Sequence, residues 1–239
     1  MRKFDWTILV VAMLFPAVLT FLYFVVLADS PGVFQRSAYG VGKALQFALP
    51  ILWIGVALRE RWLIRPFNRR GILEGTLFGL AVFTAMLGIY AFWLGLPYGL
   101  LGAGSPATEK ILGKVDGMGV ADARLFLLLG LFYAVIHSGL EQYYWRWFVF
   151  GMLRRKMPLT GAIILSSLAF TVHHVLLLGT FFGYASPFCW IGSLGVTVGG
   201  AYWAWLYHRS DSTWGPWISH GIVDAAIFVI GFFVCFDTR

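Results

Sequence analysis

The sequence predicts an all-α protein, a polytopic bundle of about seven transmembrane helices. Of its 239 residues, 59% are hydrophobic and only 12% are charged, whereas a soluble domain carries about a quarter charged residues. The hydrophobic residues form runs of roughly 20 residues, which is the length that a helix needs to cross a bilayer. Lipid leaves the backbone only helices or a closed barrel, and these runs are too long for barrel strands.

Seven apolar runs follow one another along the chain. The first comes after Arg2 and Lys3 and is too long for the core of a signal peptide, so we expect a transmembrane helix there. The connectors are short except for residues 97–121, and no repeat or soluble domain stands out. We therefore predict a single integral membrane domain over residues 1–239. The predicted spans are residues 7–28, 39–58, 72–95, 122–153, 159–177, 187–208 and 215–236.

The positive charges predict the orientation of the chain. If all seven runs cross the bilayer, most of the lysines and arginines fall on one side, and that side is cytoplasmic by the positive-inside rule. The N-terminus is then cytoplasmic as well. The net charge of +7 thus reflects topology and contacts with lipid headgroups, and nucleic acid is not expected as a partner. The residues concerned are Arg2, Lys3, Arg59, Arg61, Arg65, Arg69, Arg70, Arg154, Arg155, Lys156 and Arg209.

Titratable side chains inside the apolar runs are concentrated in the second half of the chain. Each of them is costly in a membrane, so each calls for an explanation. A four-residue spacing puts Glu141 on one helix face with His137, and Asp224 on one face with His220. One such group is often a packing residue, but carboxylates and histidines on three helices favour a site that activates water and stabilises an oxyanion. The set comprises His137, Glu141, Gln142, Arg146, His173, His174, His220 and Asp224.

Three short motifs contain all of these residues except His137, and the order and spacing of the motifs resemble the CPBP family of intramembrane proteases. That family includes type II CAAX prenyl-endopeptidases and bacteriocin-processing, Abi-like proteins. Its motifs are Glu-Glu-x-x-x-Arg, Phe-x-x-x-His and His-x-x-x-Asn or Asp, each on its own helix. The resemblance covers about residues 122–236. The matching positions are Glu141, Gln142 and Arg146, then Phe170 and His174, then His220 and Asp224.

The resemblance implies a glutamate-dependent intramembrane endopeptidase. Glu141 would be the general base for water, and His174 would help to position that water. His220, together with Asp224, would stabilise the tetrahedral oxyanion, with His173 in a supporting part. The implied partners are the lipid bilayer and a membrane-embedded or membrane-anchored peptide or protein substrate.

Two positions depart from the family motifs. Gln142 stands in place of the second glutamate and lies four residues before Arg146, so we predict a structural clamp there rather than the base. Asp224 replaces the commoner asparagine. An ionised aspartate cannot donate to an oxyanion, so Asp224 must be protonated, orient His220 or bind an ion.

No cofactor is expected, because no zinc motif such as His-Glu-x-x-His is present. Zinc bound by Glu141, His174 and His220, with Asp224 as a further oxygen ligand, is the alternative.

Two other functions remain open at this point. The first is a non-catalytic member of the same family that binds a membrane protein, for instance as an immunity factor, and Gln142 keeps that alternative open. The second is a proton-coupled transporter, which is disfavoured because neither an internal repeat nor paired broken helices stand out. The two cysteines, Cys189 and Cys235, lie in apolar runs and are expected to be buried without a disulfide.

Overall fold

The computed structural model describes residues 4–59 and 66–237, and within these ranges it contains helices and no strand. The all-α prediction is thereby confirmed. Arg2, Lys3, Arg61 and Arg65, which the topology prediction uses, lie outside the described residues. The helices are α1 (Phe4–Phe21), α2 (Gly32–Ile51), α3 (Arg69–Ile89), α4 (Pro106–Met118), α5 (Ala123–Arg154), α6 (Leu159–Phe182), α7 (Pro187–Ser210) and α8 (Trp214–Phe232).

Six helical stretches in the described ranges are long and apolar enough to cross a membrane. They contain α1, α2, α3, α5, α6 and α8. The seventh predicted span coincides with α7, whose 24 residues are also long enough, but its glycines, serines and aromatic residues lower its hydropathy. The six stretches are Trp6–Val26, Gly32–Val56, Arg69–Leu94, Ala123–Arg154, Leu159–Phe182 and Trp214–Asp237.

Helix α5 departs from regular α-helical geometry at two places. Its hydrogen bonding widens to the π-helical pattern over Tyr133–His137 and again over Tyr143–Phe150. Between these segments lies one short α-helical stretch, Ser138–Gln142, which carries the start of the first motif. π-helical segments also follow α1, α2, α3 and α8, but α5 is the described helix that such segments interrupt in its interior.

The chain divides into two compact units. The first unit contains Met1–Pro66 and Tyr143–Thr213, and the second contains Phe67–Gln142 and Trp214–Arg239. The boundary falls inside α5, so this helix contributes its first part to the second unit and its last part to the first. The single membrane domain expected over residues 1–239 stays a prediction.

The first unit is built around the aromatic end of α5. Tyr144 and Phe148 are completely buried, and the Tyr144 hydroxyl donates a hydrogen bond of 2.7 Å to the carbonyl oxygen of Ala12 in α1. Helices α6 and α7 are joined by a hydrogen bond of 2.8 Å between the hydroxyl groups of Thr171 and Thr197. Such bonds and close packing hold helices together in lipid, where burial of apolar surface supplies little.

The second unit depends on close contact between α3 and α8. Gly71, Gly75 and Gly79 are buried at four-residue spacing along α3. A Cβ atom at Gly75 would overlap the carbonyl oxygen of Gly215, so only glycine allows the two backbones to approach this closely. One turn further along α3, a Cβ atom at Gly79 would lie 3.0 Å from the carbonyl oxygen of Ser219, the residue before His220.

Helix α8 also packs closely against α5 within the second unit. A Cβ atom at Gly221 would overlap the carbonyl oxygen of Ala134. One turn earlier in α8, the indole Nε1 of Trp217 donates a hydrogen bond of 2.8 Å to the carbonyl oxygen of Val135. Both carbonyl groups belong to the π-helical segment of α5, so the third motif packs against the turn that precedes Glu141.

Helix α4 joins the same unit through a small apolar cluster of Val115, Phe126 and Cys235. Cys189 and Cys235 are both buried and neither is part of a disulfide, in line with the expectation that they serve as small apolar residues.

Candidate active site

The second unit brings together four of the predicted site residues. Glu141 and Gln142 come from α5, and His220 and Asp224 come from α8. Glu141, Gln142 and His220 are 3%, 1% and 5% exposed. Buried polar groups of this kind are stable only when they are paired with one another, so their mutual geometry is informative.

His220 lies at the centre of this group. Its Nδ1 atom is 2.9 Å from the amide nitrogen of Gln142. On the other edge of the ring, Nε2 is 3.5 Å from Asp224 Oδ1 and 3.9 Å from Glu141 Oε2. The ring therefore has an amide on one side and two carboxyl groups on the other.

The carboxyl group of Glu141 lies between two imidazole rings. Its Oε2 atom faces His220, and its Oε1 atom is 3.8 Å from His137 Nε2. The sequence predicts that His137 shares a face with Glu141, although His137 lies outside the family motifs. The signal that points to it is the four-residue spacing.

His137 is more accessible than Glu141, with 16% of its side chain exposed against 3% for Glu141. A partly exposed imidazole beside a buried carboxylate can stabilise the carboxylate as a cation and can pass protons to and from water.

We expect His137→Gln to lower peptidase turnover by about 10-fold, which is less than the loss of a general base costs. The glutamine keeps a hydrogen-bonding group beside Glu141 but cannot carry the proton. Initial rates over a range of pH measure the effect. His208→Gln, at an exposed position near the end of α7, is the matched control and should leave turnover unchanged. Equal rates for His137→Gln and the wild type would mark His137 as a packing residue.

The first unit contains the second motif, with its two adjacent histidines. The His174 Nδ1 atom is 3.0 Å from the carbonyl oxygen of Phe170, which begins the motif. Since a carbonyl only accepts, Nδ1 carries a proton, and in the neutral ring Nε2 keeps its lone pair. His174 can therefore accept a hydrogen bond from water through Nε2. His173 is buried, and its ring is parallel to that of Trp145 at a centroid distance of 6.0 Å.

Arg146 is completely buried in the first unit. Its guanidinium carbon lies 4.9 Å from the ring centre of Phe170 and 5.6 Å from that of Trp203. These are favourable cation–π distances, so the arginine of the first motif packs on the phenylalanine of the second. The clamp between Gln142 and Arg146 stays a prediction, while the contact between Gln142 and His220 was not foreseen.

Residues 123–226 match the model of one protein family, described as Type II CAAX prenyl endopeptidase Rce1-like. The predicted resemblance to the CPBP family is confirmed. The matched segment extends from the start of α5 into α8 and includes all three motifs. No curated protein and no solved structure matches the chain.

The match to the Rce1-like model supports peptidase activity, since that model describes a family of proteases. The six stretches suited to crossing a membrane make this an integral membrane protein. The family match does not distinguish the roles of individual side chains. The catalytic parts assigned to Glu141, His174, His220 and Asp224, and the joint action of residues from the two units, stay predictions.

Proposed function

We propose that this protein is an intramembrane endopeptidase in which Glu141 activates water to hydrolyse a peptide bond. The observation that carries the proposal is a buried carboxyl group between two imidazole rings, on a stretch suited to crossing a membrane, inside the Rce1-like segment. A group of this kind is costly in a membrane helix, and stability alone does not account for it.

The proposed reaction uses each side chain for one task. Glu141 takes a proton from water, and the resulting hydroxide attacks the scissile carbonyl carbon. The ring N–H of His220 donates to the oxyanion that forms. Glu141 then gives its proton to the leaving amine as the carbon–nitrogen bond breaks. His174 accepts a hydrogen bond from the attacking water through Nε2, an assignment that rests on the motif and is supported by its bond to Phe170.

Asp224 has the task of orienting His220. Of the three roles that the sequence left open, orientation is the one supported by the 3.5 Å separation between Asp224 Oδ1 and His220 Nε2. The carboxyl group holds the ring N–H until the oxyanion forms, and the N–H then turns to the oxyanion.

The proposed mechanism has no metal. A mechanism without zinc at His220 is supported by the contact between the amide nitrogen of Gln142 and His220 Nδ1. An amide nitrogen only donates, so Nδ1 supplies the lone pair and the proton of the neutral ring is on Nε2. A ring nitrogen that carries a proton cannot bind a metal ion.

We expect a zinc chelator to leave turnover of the wild type unchanged. Purified protein is treated with 1,10-phenanthroline, and cleavage is measured before and after the addition of zinc. A structurally similar non-chelating phenanthroline isomer is the control for non-specific inhibition. Activity that the chelator removes and zinc restores would instead make Glu141, His174 and His220 metal ligands.

The function itself is tested with purified protein in lipid nanodiscs and a panel of peptides. The family model describes prenyl endopeptidases, so the first pair is a peptide ending in a prenylated CAAX sequence and the same peptide without the prenyl group. A second pair is a membrane-spanning peptide and a soluble peptide. Mass spectrometry of the products should show cleavage of at least one membrane-bound peptide. If no peptide is cut and a membrane protein co-purifies equally with wild type and Glu141→Gln, a non-catalytic binding function replaces this one.

The orientation proposed for the chain has its N-terminus in the cytoplasm. It rests on the charges that flank the spans, such as those of Arg69 and Arg154. In a chain without its two native cysteines, Asn68→Cys should react with an impermeant thiol reagent only from the cytoplasmic side. Tyr98→Cys should react only from the other side, and the reverse pattern would invert the orientation.

A further inference from the structure

We infer that Gln142 is a positioning residue that determines which nitrogen of His220 carries the ring proton. The effect on turnover rests on the proposed function, whereas the position of the proton can be measured without a substrate.

The contact itself determines the direction of the hydrogen bond. Gln142 and His220 are both buried, and Nε2 of the amide is 2.9 Å from Nδ1 of the ring. The amide nitrogen must donate, so Nδ1 accepts and the ring proton lies on Nε2. This orientation leaves Gln142 Oε1 as a buried acceptor without a hydrogen-bond partner among the described residues. The flipped amide would instead leave two buried N–H groups unsatisfied, and unsatisfied N–H groups are the rarer case in proteins.

The groups at the opposite edge of the ring favour the same tautomer. His220 Nε2 faces Asp224 Oδ1 at 3.5 Å and Glu141 Oε2 at 3.9 Å. A hydrogen on Nε2 is attracted by a carboxylate on this edge of the ring, whereas a lone pair on Nε2 would be repelled by that carboxylate. The amide on one side and the carboxyl groups on the other therefore favour the same tautomer.

The two departures from the family motifs thus contact one ring from opposite sides. Gln142 replaces a glutamate beside Nδ1, and Asp224 replaces the commoner asparagine beside Nε2. With the family residues, a carboxyl acceptor would be beside Nδ1 and an amide donor beside Nε2. In this chain the amide donor is beside Nδ1 and the carboxyl acceptor is beside Nε2, so the number of carboxyl groups around the ring stays the same. Gln142 is therefore one member of a coupled pair, and its presence does not indicate a lost activity.

The consequence for the reaction is a neutral His220 that donates through Nε2. When the oxyanion forms, the Nε2–H group donates a hydrogen bond to it and keeps its proton. The Gln142 N–H group occupies the Nδ1 lone pair throughout, so the ring cannot take up the other tautomer. The donor then stays on the side of the ring where Glu141 and the oxyanion are expected.

Nitrogen-15 NMR of the full-length protein tests the tautomer directly. The five histidines are labelled, the protein is placed in nanodiscs without substrate, and the His220 signals are identified by their loss in His220→Gln. We expect Nδ1 of His220 to be unprotonated and Nε2 to be protonated. In Gln142→Glu the proton should move to Nδ1. Gln46→Glu, at an amide in the first unit that is as buried as Gln142, at 1% exposure each, should leave the His220 signals unchanged.

Turnover provides the second readout. Gln142→Glu should lower kcat by about 10-fold or more and change KM less, since the misplaced donor acts on the transition state. The double variant Gln142→Glu with Asp224→Asn should recover to within about 3-fold of the wild type, because coupled neighbours are non-additive.

Three results would overturn the inference: a His220 with its proton on Nδ1 or on both nitrogens, a tautomer that Gln142→Glu does not change, and a double variant no faster than the single one. Gln142→Met, which keeps the size but cannot donate, replaces the glutamate variant if that protein does not fold; only the carboxyl groups then favour the proton on Nε2, so a fraction of His220 should carry it on Nδ1, which the wild type does not show. If the wild type cleaves no peptide, the proposed function fails while the NMR result still decides the inference.

Discussion

Glu141→Gln should lower peptidase turnover by about 10²-fold or more, which is the usual effect of losing a general acid–base group. The amide has the shape of the carboxyl group and can remain between His137 and His220, but it cannot take a proton from water. Substrate binding should largely survive, because the lost interaction acts mainly in the transition state. Values of kcat and KM for a cleaved peptide, measured in nanodiscs, separate the two effects.

The matched control is Glu109→Gln, which makes the same chemical change at an exposed position in the first turn of α4. It should cleave as fast as the wild type. Both variants should unfold at the same temperature as the wild type to within a few degrees, so that a loss of turnover reports on chemistry. Unchanged turnover in Glu141→Gln would rule out Glu141 as the base, and the proposed mechanism would fail with it.

The second large effect is expected for Gly221→Ala. A Cβ atom at this position would overlap the carbonyl oxygen of Ala134, and backbone atoms cannot move aside as a flexible side chain can. Helix α8 must therefore shift away from α5, and overpacking of this kind costs about 1–3 kcal/mol or more. Because the same contact places His220 beside Glu141, turnover should fall together with the unfolding temperature.

Gly88→Ala controls for the change of residue type. A Cβ atom at Gly88 would meet no other atom within 4 Å, and alanine favours the helix by about 1 kcal/mol. This variant should be as stable as the wild type or slightly more so, and equally active. Thermal unfolding in detergent and peptide cleavage are measured for both variants. Equal stability and activity of the two would contradict the close approach of α5 and α8.

The helical architecture follows from the sequence alone, because lipid restricts the chain to a few solutions. Runs of about 20 apolar residues predict membrane helices whatever their packing. Six of these runs are suited to crossing a membrane by length and composition. Helix α7 is harder to identify as a membrane span from hydropathy, because its glycine, serine and aromatic residues pack well against other helices but lower its mean hydropathy. Length and composition therefore identify six spans, and the packing of small and aromatic residues explains why α7 does not meet the same criteria.

The chemical types at the site also follow from the sequence. A carboxylate and histidines are rare in apolar runs, so their presence predicts a site wherever the helices lie. The four-residue spacing correctly places His220 beside Asp224, since both are on one face of α8. It also places His137 beside Glu141, although the family motifs do not include His137.

Only the tertiary structure decided that the amide of Gln142 contacts the ring of His220. Gln142 and His220 are 78 positions apart, so helical spacing could not predict their contact. The contact with His220 depends on Gly221, which lets α8 approach α5 closely, and on the π-helical segment before Ser138, which changes the direction of the following side chains. Periodicity describes one helix at a time. The tautomer of His220 depends on two helices and on the distance that their glycines allow.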